Sequence, residues 1–244
     1  MSTATRSRTD AATRRRRLGE VLSGVVVAVG CVLFLGGFVW GALVYQPYTV
    51  PTNSMAPTID VGDRVLAQRL DGAEVRRGDV VVFQDEGWGG VPMLKRVVGV
   101  GGDHVACCDA QGRLTVNGRS VAEPYVEDAQ TPGQRFAVTV PRGRLFLLGD
   151  RRAESLDSRA RLSEAGHGAV PREAVVARVD ARVWPLDGLA MVARPAGFAE
   201  LPGGVSEPGP LVSILVVTAA GAVLIFGGAA YGPVARRLGR VRGR

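Results

Sequence analysis

Met93-Leu94-Lys95-Arg96-Val97-Val98-Gly99-Val100 is the stretch on which the reading of the fold turns. It is rich in Val and Leu, preceded by Pro92 and followed by Gly101-Gly102, the signature of a strand between breakers. Period-two alternation places Lys95 on one face with Met93 and Val97, and Arg96 on the other with Leu94 and Val98. The same short, bounded pattern recurs at Arg64–Gln68, Val80–Phe83, Arg113–Val116, Phe136–Val140 and Leu145–Leu148, and Ala174–Trp184 alternates as a closing strand. Asn117-Gly118 marks a two-residue hairpin between Leu114–Val116 and Arg119–Val121. No helical stripe of useful length interrupts this series, so residues 46–195 read as a mostly β domain.

Two apolar segments flank that domain, at residues 21–45 and 211–231. Val21–Val44 is 24 residues without a charge and Leu211–Tyr231 is 21. As helices they extend roughly 36 and 32 Å, enough for a hydrocarbon core of about 30 Å. The first exceeds the apolar region of a cleaved leader and lacks a small-x-small site before Gln46-Pro47, so it reads as an anchor. Residues 1–20 carry six Arg against Asp10 and Glu20, and Arg236, Arg237, Arg240, Arg242 and Arg244 follow the second segment. Residues 46–210 hold 19 cations and 21 acids, so the overall charge of +7 resides in the two tails. The positive-inside rule then places residues 1–20 (read as disordered) and 232–244 in the cytoplasm and the β domain outside the plasma membrane, with membrane lipid as a partner. A nucleic-acid partner is excluded, because the domain has no basic excess to offer phosphates.

Residues 196–210, with Pro and Gly at 202–204 and 208–210, read as a linker. Cys31 lies in the first apolar segment as a small packing residue. Cys107 and Cys108 are adjacent; a vicinal disulfide, free thiols and pairing with another chain all remain open. With His104 they lack both the usual spacing and a fourth ligand, so no metal site is expected. Gly99-Val100-Gly101-Gly102 has His104 where a dinucleotide loop needs glycine, and no helix follows.

Three segments carry chemistry. Pro51 and Pro57 bracket Thr52-Asn53-Ser54-Met55-Ala56, a stiff turn that can present a serine hydroxyl at a cleft rim and leave N–H groups free for an oxyanion. A serine needs a base, and the candidates are His104, His167 and Lys95. Both histidines sit among glycines in apparent turns. Lys95 lies in an apolar strand, and it is the one lysine among 30 Lys and Arg. Arginine cannot release its proton; a desolvated lysine can. Lowering a lysine from about 10.4 to about 7 requires roughly 4.6 kcal/mol, within reach of burial. The third segment, Gly149-Asp150-Arg151-Arg152-Ala153-Glu154-Ser155-Leu156-Asp157-Ser158-Arg159, leaves an apolar strand and alternates hydroxyls with opposite charges. It is suited to an ion-pair network and to a hydroxyl that orients the amine.

Pro51–Thr58, Lys95–Asp103 and Gly149–Arg159, in this order after an apolar segment, together resemble the serine, lysine and third boxes of type I signal peptidase. That family comprises membrane-bound serine proteases with a Ser–Lys dyad. Arg77–Phe83 and Glu123-Pro124-Tyr125 resemble further family segments, and the similarity covers roughly residues 45–185. The resemblance implies an antiparallel β catalytic domain with a smaller β cap inserted at about residues 104–140. It implies Ser54 as nucleophile and Lys95 as general base. The Ser54 N–H and the Thr52 hydroxyl would hold the oxyanion, Ser155 would hold the amine, Asp157 and Arg159 would brace the site, and Met55 would lie at the substrate cleft. Substrates would be exported preproteins with small residues at the −1 and −3 positions, bound as an extended strand. No cofactor is implied.

Thr52 stands where the family usually has serine; its hydroxyl remains, but the β-methyl restricts its rotamer. Arg151 stands where Asn is common, which puts the hydrogen bonding of that loop in question. A C-terminal apolar segment is absent from many relatives and resembles an arrangement in some actinobacterial forms. Ser54 lies ten residues beyond Val44, at most about 33–36 Å along the chain, so enzyme and emerging substrate would share one layer. A serine hydrolase using His104 or His167 and a non-catalytic tethered adaptor are the competing readings.

Overall fold

The computed structural model describes residues 3–70, 72–126 and 135–241. They form two compact units: one holds the long helices and the other is Val44–Gly209. In the helical unit, α1 (Thr3–Val44) and α3 (Leu211–Val241) are both long. Arg17–Val44 and Leu211–Tyr231 are long and apolar enough to cross a membrane. They pack through glycine: a Cβ on Gly30 would come within 2.9 Å of the Gly221 carbonyl, and Ser23 Oγ donates to the Gly228 carbonyl at 2.7 Å. Such small-residue contacts let helix backbones approach closely. Helix α1 runs through the Arg-rich segment expected to be disordered, back to Thr3, and α3 continues past Tyr231 to Val241. Residues 1–2 and 242–244 of the expected tails lie outside the described residues, as do residues 127–134 of the expected cap.

The other unit contains β1 (Tyr45–Thr49), β2 (Arg64–Arg69), β3 (Val80–Phe83), β4 (Met93–Val100), β5 (His104–Cys107), β6 (Leu114–Val116), β7 (Arg119–Ser120), β8 (Phe136–Thr139), β9 (Arg144–Leu148), β10 (Val170–Pro171), β11 (Val175–Trp184) and β12 (Ala190–Met191), plus the one-turn helix α2 (Ala196–Ala199). The larger sheet runs β1-β2-β11-β3-β4-β9-β10 with β12 paired to β11, and the smaller runs β7-β6-β5-β8. Every pairing among the described residues is antiparallel. Strand β4 is central: Lys95 sits opposite Val81, and Arg96 is flanked by Val80 and Leu148. Asn117 and Gly118 adopt φ of 53° and 77°, as a two-residue turn matched to strand twist requires.

Three departures have physical causes. Tyr45–Thr49 is a strand despite Pro47, because it lies at the sheet edge, where a missing donor is tolerated. His104 begins β5 rather than sitting in a turn, its N–H held by Asn117 Oδ1 at 2.8 Å. Residues 196–209 are part of the β unit rather than a linker. Phe198 is fully buried in the core with Leu201, Val121 and Phe146, Ser206 donates to Asp79, and Arg77 Nη1 donates to the Pro202 carbonyl at 2.7 Å. Cys107 and Cys108 are joined as a vicinal disulfide.

Candidate active site

The Ser54 loop is a compact knot. Val50 N–H donates to Asp63 O, Gly62 N–H to Val50 O, and Ala56 N–H to Asn53 O, all at 2.8–3.0 Å. Met55 plugs it into the core with Val50, Ile59, Val65 and Val80 and is wholly inaccessible. Met55, expected at the substrate cleft, anchors the loop from below, its side chain following the apolar face beneath the turn. Ser54 itself is buried, 6% exposed.

Lys95 reaches it from β4. Its Nζ lies 2.8 Å from Ser54 Oγ and 3.1 Å from the Leu94 carbonyl, and the residue is 3% exposed. Burial lowers the amine from the ordinary 10.5 to about 8, opposed by the negative charges of Asp157 and then Asp150. Thr52 Oγ1 is 3.2 Å from Ser54 Oγ. Neither histidine shares this place: His104 Nδ1 meets Thr139 Oγ1 on β8, and His167 Nδ1 meets the Leu162 carbonyl. Among the described residues no group of three or more His, Cys, Asp or Glu could hold a metal ion.

The loop after β9 closes over the pair. Arg159 grips Asp157 with Nε and Nη2 at 2.8 Å each, and Asp157 Oδ2 accepts the Gly149 N–H at 3.0 Å. The Arg151 N–H donates to the Ser54 carbonyl at 3.1 Å, while its side chain turns to Glu154 at 3.5 Å. The bond from this position to Ser54 is thus a backbone one, which any residue can make. Gly149 has no room for a side chain: a Cβ would stand 2.5 Å from the Ser54 carbonyl and crowd Ser155. Ser155 differs from expectation. Its hydroxyl is buried without a hydrogen-bond partner, and the Lys95 amine bonds to Ser54 and Leu94 instead.

A buried ion pair that reaches outside the loop's own segment lies beneath it. Arg96, 1% exposed, donates from Nε and Nη2 to Asp150 at 2.8 and 2.6 Å and from Nη1 to the Gly78 carbonyl at 2.8 Å. Thr58 Oγ1 donates to the same carboxylate at 2.6 Å, and Arg96 lies 4.0 Å from the centre of the Tyr125 ring. The signal was an Arg placed by alternation among apolar residues of a central strand, where a charge requires a partner. Asp150 thereby ties the serine turn to β4.

With serine, lysine and the third loop gathered in one place, comparison with known proteins is decisive. A profile of the family described as "Signal peptidase, peptidase S26" matches residues 18–184, more than half of the chain. The chain belongs to the signal peptidase family, peptidase S26. Signal peptidase I of Mycobacterium tuberculosis (strain H37Rv) is 33% identical over 224 residues, covering 70% of this chain and 74% of that protein. Signal peptidase I of Bacillus licheniformis is 32% identical over 157 residues, covering 60% and 80%. A crystal structure of a signal peptidase I from Enterococcus faecalis V583 is 29% identical, covers 42% of this chain and 94% of that one, and has a TM-score of 0.35. The family match and the Mycobacterium and Bacillus relatives make this chain a serine peptidase of the signal peptidase I type.

Proposed function

We propose that this signal peptidase is a membrane-anchored endopeptidase that removes N-terminal signal peptides from exported preproteins, with Ser54 as nucleophile and neutral Lys95 as general base. The observation that carries this reading is the 2.8 Å approach of a buried lysine amine to a serine hydroxyl. With the amine neutral, the Ser54 O–H donates to the Nζ lone pair. As Oγ attacks the scissile carbonyl, its proton passes to Nζ, and negative charge develops on the carbonyl oxygen. The Ser54 N–H and the Thr52 hydroxyl stabilise that oxyanion. The ammonium then gives its proton to the departing amine, leaving an acyl-enzyme on Ser54. Water, deprotonated by Lys95, attacks the ester and releases the processed signal peptide. Asp157 and Arg159 hold the loop against the dyad. Substrates present small residues at −1 and −3 as an extended strand. Helices α1 and α3 span the plasma membrane, both termini are cytoplasmic, and the β unit faces outward, as the charge partition of the sequence indicates.

The test is cleavage of a preprotein by the purified full-length chain in detergent, with N-terminal sequencing of the product. Wild type should cut after the small-x-small motif, and Ser54→Ala should not. Cutting by Ser54→Ala overturns the nucleophile, and loss of cutting when His104 and His167 are both replaced overturns the lysine base.

The base must be neutral, so kcat/KM is expected to climb with pH and level off above about 8. A midpoint near the ordinary lysine value would mean that burial does not tune the amine. Thr52→Val keeps the shape but removes the hydroxyl, and kcat should fall on the order of a hundredfold, the usual loss for one oxyanion donor. An unchanged kcat would remove Thr52 from the mechanism.

A further inference from the structure

Glu123 lies far from Ser54 and Lys95 in sequence, on the segment that leaves the smaller sheet. That segment is pinned at both ends by Val121 and Val126, which are buried. The Glu123 side chain is 5% exposed, and its Oε1 accepts from Arg152 Nη2 and from the Tyr125 hydroxyl, both at 2.6 Å. Arg152 does not stop there. Its Nε donates to the Gly149 carbonyl at 3.0 Å, and its own carbonyl accepts from Arg159 Nη2 at 2.6 Å. Gly149 is therefore held on both sides, its carbonyl by Arg152 and its N–H by Asp157. This is the residue whose backbone presses against the Ser54 carbonyl, with no space for even a methyl group. The Tyr125 ring also covers the Arg96 guanidinium that binds Asp150.

We propose that Glu123 is a positioning residue for the Ser54–Lys95 pair: by fixing Arg152 it sets the seat of the Gly149 loop against Ser54 and of Asp157 near Lys95. The small sheet thus does more than cap the domain; one carboxylate on its exit segment completes the support of the dyad. A buried charge-assisted pair of this kind holds geometry better than a neutral contact. An active-site misplacement on the order of 1 Å is enough to slow a reaction about a hundredfold. The inference rests on the dyad reading above, but its test has a readout independent of it.

That readout is Lys95 itself. As the only lysine in the chain, its amine can be titrated in the intact protein through a 13Cε-lysine label, whether or not the protein cuts anything. The charges that face it are Asp157, held by Arg159, and Asp150, held by Arg96. In Glu123→Ala the loop should lift and admit water, so the Lys95 midpoint should move upward from about 8. On a preprotein, kcat should fall on the order of a hundredfold with KM nearly unchanged. In an Arg152→Ala background, adding Glu123→Ala should have little further effect, because the two act in series. If Glu123→Ala does not fold, Glu123→Gln is read in the same way and should move both quantities in the same directions by less. A folded variant with an unchanged Lys95 midpoint and unchanged kcat would overturn the proposal and leave Glu123 as a structural staple. Should wild type fail to cut while the midpoint still responds to Glu123, the dyad reading falls and the positioning role stands.

Discussion

Lys95→Arg is expected to abolish preprotein cleavage, with kcat/KM lower by at least about 10⁴-fold, the scale on which triad proteases suffer when the base is disabled. The charge is kept, but a guanidinium does not give up its proton at any working pH, so Ser54 has no acceptor. Residual cleavage should show no rise around pH 8. Cutting at wild-type rate would eliminate Lys95 as base. The companion variant, Lys95→Met, separates catalysis from stability. The folded amine titrates at about 8, below the ordinary 10.5, so between these values the unfolded chain holds more protons than the folded one. Stability of the wild type therefore rises with pH across that window. Below about 8 both states are protonated, and the full penalty of burying the ammonium, about 3 kcal/mol, is present. Lys95→Met should be inactive yet more stable than wild type at pH 7 by up to that amount, the difference fading toward pH 10.5. Urea unfolding at pH 7 and pH 10 measures it; equal differences at both would mean that the amine is not desolvated.

Asp150→Ala should be the most destabilising single change near the site, by about 3–5 kcal/mol, because it strands the buried Arg96 guanidinium without its counter-ion. The loss of the Thr58 bond also frees the serine turn. The effect comes from the unpaired charge more than from any intrinsic strength of the pair, so Arg96→Met combined with Asp150→Leu should recover much of the loss. Asp150→Asn keeps an acceptor and should fold well enough for kinetics. The Asp150 charge favours the Lys95 ammonium, so its removal should move the pH midpoint below 8. Thermal unfolding of the three variants and one pH profile decide the matter. If Asp150→Ala melts with wild type, the pair contributes nothing; if the double variant is no better than the single, the cost lies elsewhere.

The strands easiest to read were those with unbroken Val and Leu, such as Val80–Phe83 and Met93–Val100, which coincide with β3 and β4. Tyr45–Thr49 was hidden by Pro47, which argues against a strand unless the edge position is known. Phe198 and Leu201 sit among Pro and Gly, so a composition typical of linkers concealed residues that fill the core. Arg77 and Arg96 are both buried, each beside an aspartate distant in the chain. A charge reads as solvated in a sequence because its partner is found only when strands are brought together.

From residue order alone came the β class, the two apolar segments and the three boxes, because periodicity, charge distribution and residue chemistry are local properties of the chain. Folding was needed for the rest: that Met55 plugs the core beneath the turn, that the Lys95 amine bonds to the Leu94 carbonyl while the Ser155 hydroxyl has no partner, and that Arg96 pairs with Asp150 and Glu123 with Arg152 near Ser54 and Lys95. Those relations depend on which side chains from distant strands occupy the same few ångströms, and on how far water is shut out there.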